Sequence, residues 1–111
     1  MNDSDSIAVF MTAATGEEAR SLAEMLIEKR LAACVQIIPR IESVFRWQGK
    51  IEHANEVLLI AKTLNSKFAE LEREVRSVHS YETPEIVAVD LTGGSLPYLS
   101  WLRQSVAEDQ D

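Results

Sequence analysis

The chain has 111 residues, a length that predicts one domain with a single modest hydrophobic core. Its 18 acidic and 11 basic side chains leave a formal net charge of −7, which argues against nucleic acid and anionic membrane surfaces as partners because both would repel it. No apolar run is long enough to span a membrane, and the lone Cys34 has no partner for a disulfide or a CxxC zinc motif, so we expect a cytoplasmic protein.

The first third of the chain predicts a strand followed by a helix. Ser6–Ala13 is apolar and rich in β-branched residues, as in a buried strand. Thr15 and Glu18 have the spacing of a capping box. In this motif the side chain of the first residue accepts a hydrogen bond from the backbone N–H of the second, and the side chain of the second accepts one from the backbone N–H of the first. The helix that follows repeats apolar side chains at helical intervals: Ala19, Leu22, Ala23, Leu26 and Ile27.

Residues 33–48 and 50–63 predict the two arms of a long hairpin that turns at Gly49. Alternation in the first arm places one set of side chains on one face, namely Ile41, Ser43, Phe45 and Trp47, and the intervening set on the other, namely Glu42, Val44, Arg46 and Gln48. The second arm ends in the unbroken apolar run EVLLIAKT, which is typical of a strand covered on both faces.

The last third predicts a helix, a strand and a final helix. Asn65 or Ser66 is the expected cap of the second helix, whose buried side carries Phe68, Leu71, Val75 and Val78. Residues 85–91 form the expected fourth strand. After Ser95, a short helix with Pro97 in its first turn carries the apolar side chains Leu99, Trp101 and Leu102.

The order βαββαβ with a terminal helix predicts an α+β fold, a ferredoxin-like sandwich with an extended central hairpin. Right-handed crossovers would put both main helices on one face of an antiparallel four-stranded sheet. We expect a single domain over residues 1–111, with flexible tails at residues 1–5 and 107–111.

The hairpin is too long for a compact domain of this size. Arms of about 14 residues at ~3.3 Å per residue extend roughly 45 Å, whereas a compact chain with a radius of gyration near ~13 Å is only about 34 Å wide. The ribbon must therefore project or bend, and Pro39 is the expected bend or bulge. We expect a closed homo-oligomer in which each ribbon adds to a neighbour's sheet; the alternative is that Phe45 and Trp47 fold back onto their own domain.

Five strings in this order resemble the divalent-cation-tolerance family, CutA: EKRLAACV, WQGKIE, EVLLIAKT, YETPEIVAV and YLSWL. The resemblance as a whole covers nearly everything from Ile7 to about Val106. The resemblance implies a trimer of ferredoxin-like subunits interlocked through their hairpins, similar in architecture to the PII nitrogen-signalling proteins. Phe45, Trp47 and Trp101 are then the candidate trimer-interface residues. The resemblance also implies a link to tolerance of copper and other divalent metals, and it carries no agreed catalytic activity.

Copper prefers imidazole and soft sulfur ligands, so the candidate metal ligands are Met11, Cys34, His53 and His79. They show no ligand spacing. For Met11 and Cys34 we favour packing in the core, and His53 near the hairpin tip can equally be a solvated side chain. In many relatives a cysteine stands at the position of Met11 and a second histidine at the position of Val78, and this chain lacks both. We therefore expect no obligatory cofactor, and weak binding of copper or another divalent metal.

The alternative function is a PII-like sensor or scaffold that binds a small metabolite or anion in a cleft between subunits. The candidate cleft residues are Lys62, His79, Tyr81, Glu82 and Glu85, with Trp47 from another subunit. The simpler interpretation is that Tyr81 and Glu85 only hydrogen-bond their own loop. Since nucleophile and phosphate-loop motifs are absent from the sequence, and Gly93 with Gly94 is too short for one, we expect no enzyme.

Overall fold

Residues 5–107, which the computed structural model describes, form a mixed α/β domain with four strands and three α-helices. The elements in chain order are β1 (Ser6–Ala13), α1 (Gly16–Glu28), β2 (Cys34–Trp47), β3 (Lys50–Leu64), α2 (Phe68–Val78), β4 (Ile86–Asp90) and α3 (Leu96–Val106). Every predicted element is present, with bounds within about two residues of the expected ones. The predicted tails, apart from Asp5 and Ala107, lie outside the described residues.

The strands form one antiparallel sheet in the order β2-β3-β1-β4, so β1 is central and the hairpin of β2 and β3 flanks it. Side chains from one face of the sheet pack with α1 and α2 in the core, which includes Ile7, Val9, Met11, Ala13, Leu22, Leu26, Val57, Leu59, Ala61, Leu71 and Val75. Such burial against two amphipathic helices is the main source of stability for this layer.

Helix α3 lies on the opposite face of the sheet. Cys34 precedes the core-packed Val35 in β2 and so points away from α1 and α2. The hydroxyl of Tyr98 on α3 lies 3.6 Å from the Cys34 sulfur, which places α3 over the end of this face. The rest of the face is not covered by any helix of the described chain, and we call it the open face.

The cap of α1 follows the prediction, and α3 also begins at a side-chain cap. Thr15 Oγ1 accepts a hydrogen bond of 3.1 Å from the Glu18 N–H, and Ser95 Oγ accepts one of 3.4 Å from the Tyr98 N–H. The predicted cap of α2 is wrong: residues 65–67 form a 3₁₀ turn, and α2 starts after Lys67 without a side-chain cap. The reason is local, because the Phe68 N–H bonds the Asn65 carbonyl within that turn.

The hairpin projects as expected, since the chain measures 49 × 29 × 22 Å and its radius of gyration is 14.9 Å. Trp47 and Lys50 pair across a two-residue turn in which Gln48 and Gly49 have φ of 50° and 80°. Two successive left-handed residues define the type I′ turn that suits the twist of a hairpin.

A bulge separates the two halves of the hairpin. Ile38 pairs with Leu58 but Ile41 pairs with Glu56, so β2 holds one extra residue at Pro39 and Arg40, as the sequence predicted. One extra residue reverses the faces of all that follows in β2. The aromatic side of the ribbon, with Phe45 and Trp47, therefore continues the open face rather than the core face.

Candidate functional site

The open face and the ribbon present exposed apolar side chains. On the sheet these are Ile38, Val87 and Val89, and on the aromatic side of the ribbon Phe45 and Trp47 remain 43% and 59% exposed. The two rings thus do not pack into their own domain. Trp101 on α3 is also half exposed, with its ring centroid 5.4 Å from that of Tyr98. Several large exposed apolar side chains on one face of a domain are typical of an association surface.

A second candidate region lies where the loop after α2 meets three other elements, and His79 is at its centre. The His79 side chain is fully buried. Its Nε2 lies 2.7 Å from the Thr12 carbonyl oxygen, and its Nδ1 lies 3.0 Å from the Tyr81 backbone nitrogen. Since a carbonyl only accepts and an amide N–H only donates, the ring is the neutral Nε2–H tautomer. Both nitrogens are occupied, so His79 has no lone pair free for a metal.

Glu18 joins this loop to the start of α1. Its carboxylate accepts hydrogen bonds from the Ser80 N–H at 2.8 Å, the Ser80 hydroxyl at 3.0 Å and the Ala14 N–H at 3.1 Å. The carboxylate also lies 3.6 Å from His79 Nδ1. Partial burial acts to raise the pKa of Glu18, but the bonds from Ser80 and Ala14 stabilise the charged form more, and the pKa is lowered from its usual value.

Tyr81 joins the same loop to the base of the ribbon. Its hydroxyl donates a 2.8 Å hydrogen bond to Glu56 Oε2, and its ring centroid lies 4.9 Å from that of His79. Burial, followed by the bond to Glu56 and the charge of that carboxylate, raises the pKa of Tyr81 to about 12. Glu56 pairs with Ile41 immediately beyond the bulge, so this contact holds the point where the ribbon leaves the sheet.

The structure brings together only part of the predicted cleft. His79 and Tyr81 are in contact, whereas Glu82 and Glu85 are exposed and make no hydrogen bond or ion pair with the described residues. Lys62 lies on the open face, where its Nζ bonds Gln36 Oε1 at 2.7 Å. Lys62 is the cross-strand partner of Ala8. Ala8 is four residues from Thr12 along β1, so Lys62 lies ~13 Å from the Thr12 carbonyl that His79 contacts. Trp47, which was predicted to enter the cleft from a neighbouring subunit, lies near the tip of the ribbon.

Sequence reasoning missed two members of this region, Glu18 and Glu56. Glu18 was recognised only as part of a capping box, and Glu56 only as the first residue of an apolar string. Their partners Ser80 and Tyr81 are 62 and 25 residues away along the chain, so no local pattern signals either contact. The sequence feature that did point to this region was His79, two residues before Tyr81.

The four candidate metal ligands lie in four different settings. Met11 is buried in the core, and Cys34 is half-buried beside Tyr98. His53 is exposed on the ribbon, with Nδ1 3.2 Å from Glu42 Oε2, and His79 is committed to backbone groups. Within residues 5–107 no group of three or more His, Cys, Asp and Glu side chains is placed to hold a metal ion.

In the same part of the chain, no helix is long and apolar enough to cross a membrane.

A four-stranded antiparallel sheet with a projecting β2–β3 ribbon and an apolar open face defines a class of small α/β domain, and comparison with known proteins identifies the family. The sequence profile described as CutA1 divalent ion tolerance protein matches residues 7–105. The chain belongs to this CutA1 family, which is not a known enzyme family.

Relatives support the same assignment. The chain is 46% identical to human Protein CutA over 97 residues, which are 87% of this chain and 54% of that protein. It is 43% identical to the divalent-cation tolerance protein CutA of Thermus thermophilus over 87% of this chain and 94% of that one. The chain thus spans about half the length of the human relative and, at 55%, of the chloroplastic Arabidopsis thaliana relative.

A solved structure matches in fold as well. The structure described as the periplasmic divalent cation tolerance protein CutA from Archaeoglobus fulgidus superposes with a TM-score of 0.90. The two are 44% identical, and the match covers 92% of this chain and 99% of that one.

Proposed function

We propose that the chain is a CutA-type divalent-cation tolerance protein that works as a homotrimer of ferredoxin-like subunits in a PII-like assembly. It responds to divalent metal ions by binding copper or a related ion weakly. The observation that carries the proposal is the set of exposed apolar side chains on the open face and on the aromatic side of the ribbon, which lie on the same face of a chain of the CutA1 family.

The trimer is supported by what a single chain leaves exposed. Phe45, Trp47 and Trp101 are each more than 40% exposed, and fully burying a large aromatic side chain stabilises by ~2–3 kcal/mol. The sheet also ends in two edge strands, β2 and β4, whose outward N–H and C=O groups can pair with a strand from another subunit. A neighbour's ribbon provides both the strand and the aromatic rings.

Weak cation binding is supported by the net negative charge of the chain and by an exposed pair of side chains, His53 and Glu42. The net charge of −7 raises the local concentration of cations. On the side of the ribbon opposite Phe45 and Trp47, the His53 imidazole and the Glu42 carboxylate lie 3.2 Å apart and exposed, and these are two donors that divalent copper accepts. Two donors give a weak site, and further ligands would come from another subunit.

We also place the protein in the cytoplasm, because the free thiol of Cys34 suits a reducing compartment. No reaction is assigned to it.

Native mass spectrometry of the full chain at micromolar concentration tests the assembly. A trimer is expected for the unmodified protein, and Trp47→Ala shifts the population towards smaller species. A monomer in the unmodified protein refutes the proposal. A small metabolite retained by the trimer would instead favour the PII-like sensor.

Calorimetric titration with Cu²⁺ tests the metal. His53→Ala is expected to weaken binding, and His79→Ala serves as the matched control because both His79 nitrogens are already bonded. Equal affinity in the unmodified protein and His53→Ala would exclude the ribbon pair as the metal contact.

A further inference from the structure

A cavity of about 270 Å³ lies at the end of the sheet where β1 begins and β3 ends. Its lining residues are Asp5, Leu64, Asn65, Ser66 and Arg103. The cavity lies within a single chain, at the opposite end of β1 from the Thr12 carbonyl that His79 contacts. Since its volume is just below the ~300–1,000 Å³ of sites for drug-sized ligands, the cavity suits a molecule of few non-hydrogen atoms.

Arg103 is the one cation of the lining, and none of its N–H donors forms a hydrogen bond with an acceptor of residues 5–107. Its Nη1 lies 3.8 Å from Asp5 Oδ2, which is an ion pair but too long for a hydrogen bond. Its Nε is buried and has no partner in that part of the chain. Because the fold encloses Nε, a ligand reaches the guanidinium through its terminal nitrogens. A partly buried cation with unused donors gains from an added acceptor.

Other unpaired polar atoms lie at the same end of the sheet. Within the described chain, the buried side-chain nitrogen and oxygen atoms without a partner are Ser6 Oγ, Thr63 Oγ1 and Arg103 Nε. Ser6 and Thr63 are adjacent in sequence to the lining residues Asp5 and Leu64. Buried polar side chains are nearly always bonded, and exceptions concentrate at functional positions. Their occurrence together therefore favours a binding site at this end of the fold.

The charges of the lining indicate the class of ligand. Asp5 is 57% exposed, and its carboxylate and the net charge of −7 both repel a simple anion. A zwitterion has no net charge, and its two charged groups complement Arg103 and Asp5. The planar guanidinium is well suited to a carboxylate, and the aspartate to an ammonium group. Asn65 and Ser66 are exposed, and their side chains form no hydrogen bond with the described residues, so both are available to the ligand.

We propose that this cavity binds a small α-amino acid. The carboxylate of the ligand accepts hydrogen bonds from the terminal nitrogens of Arg103, and its ammonium group donates to Asp5. Asn65 and Ser66 contact the polar groups of a short side chain. The site is complete within one chain, so binding requires neither the trimer nor a metal ion.

NMR titration of the ¹⁵N-labelled full chain with glycine, L-alanine and L-serine tests the site. We expect saturable shifts of the backbone amides of Asn65, Ser66 and Arg103, with a Kd of ~1 mM or below for at least one of the three, since so few atoms give modest affinity. Acetate and methylammonium each supply only one of the two charges. Both should bind about tenfold more weakly, the effect of losing one charged contact.

Variants of the two charged residues separate an amino acid from a plain anion. Arg103→Gln should abolish the shifts. Arg76→Gln is the matched control, because Arg76 is also in a loose ion pair, with Nη1 3.7 Å from Glu72 Oε2, and should bind as the unmodified protein does. Asp5→Asn should weaken amino-acid binding about tenfold and strengthen acetate binding, because the carboxylate that attracts the ammonium group repels acetate.

The proposal is overturned if none of the three amino acids gives a saturable shift up to ~10 mM, well above the expected Kd. It is also overturned if binding persists in Arg103→Gln, which would place the ligand elsewhere, or if Asp5→Asn tightens amino acids as well as acetate, which would identify a plain anion site. Should Arg103→Gln fail to fold, Arg103→Lys decides. Lysine keeps the charge but lacks the planar pair of donors, so amino-acid affinity must fall about tenfold, and an unchanged affinity refutes the site.

Discussion

Replacing Glu18 by alanine is expected to destabilise the protein far more than the same change at the adjacent Glu17. Both are acidic residues in the first turn of α1, so both lose a similar interaction with the helix dipole. Only Glu18 also accepts three hydrogen bonds, two from Ser80 and one from the Ala14 N–H. At ~0.5–1.5 kcal/mol for each partly solvated bond, the difference between the variants should be about 2 kcal/mol.

Urea unfolding at equal protein concentration, followed by far-UV circular dichroism, measures this difference, because concentration affects the apparent stability of an oligomer. The pKa of Glu18 is lower in the folded state than in the unfolded one, so its contribution is fully present above the usual value of 4.5. It is lost as the pH falls through the folded-state pKa. A difference below about 0.5 kcal/mol at pH 7 would show that the carboxylate does not hold the loop and the helix together.

Three further changes test the ribbon turn, the core and the tyrosine contact. Gly49→Ala should cost ~1 kcal/mol in urea unfolding because Gly49 has φ of 80° although its surroundings are open, whereas Gly93→Ala should cost less; equal costs would contradict the turn conformation. Leu59→Ala, at a fully buried core position, should cost about 3 kcal/mol by thermal or urea unfolding, and a cost below ~1 kcal/mol would contradict the packing. Absorbance titration at 295 nm should show a tyrosine that ionises only near pH 12 and that is lost in Tyr81→Phe. The stability from its neutral hydroxyl is present below the usual pKa of 10.0 and is lost as pH rises through about 12, and ionisation near pH 10 would refute the Glu56 contact.

The elements of this fold are readable from the sequence because their causes are local. Alternating side chains mark β2 as far as the turn, and the helical repeat from Ala19 marks α1, since each pattern reflects the period of one backbone conformation. Pro39 and Gly49 signal the bulge and the turn through their own backbone restrictions. The start of α2 was misplaced because Asn65 is a good cap in isolation, whereas the chain there enters a 3₁₀ turn.

The sequence by itself therefore determined the order of strands and helices, the length of the ribbon and the family to which the chain belongs. Only the tertiary structure decided which side chains meet. It brings Glu18 to Ser80, 62 residues away along the chain, and Tyr81 to Glu56, and it bonds both ring nitrogens of His79 to backbone groups. It also decided that the aromatic side of the ribbon joins the open face, through one extra residue in β2. The physical reason is that the repeating pattern of apolar side chains depends only on residues close to one another along the chain. A hydrogen bond between distant residues depends instead on how sheet register and helix packing orient each side chain.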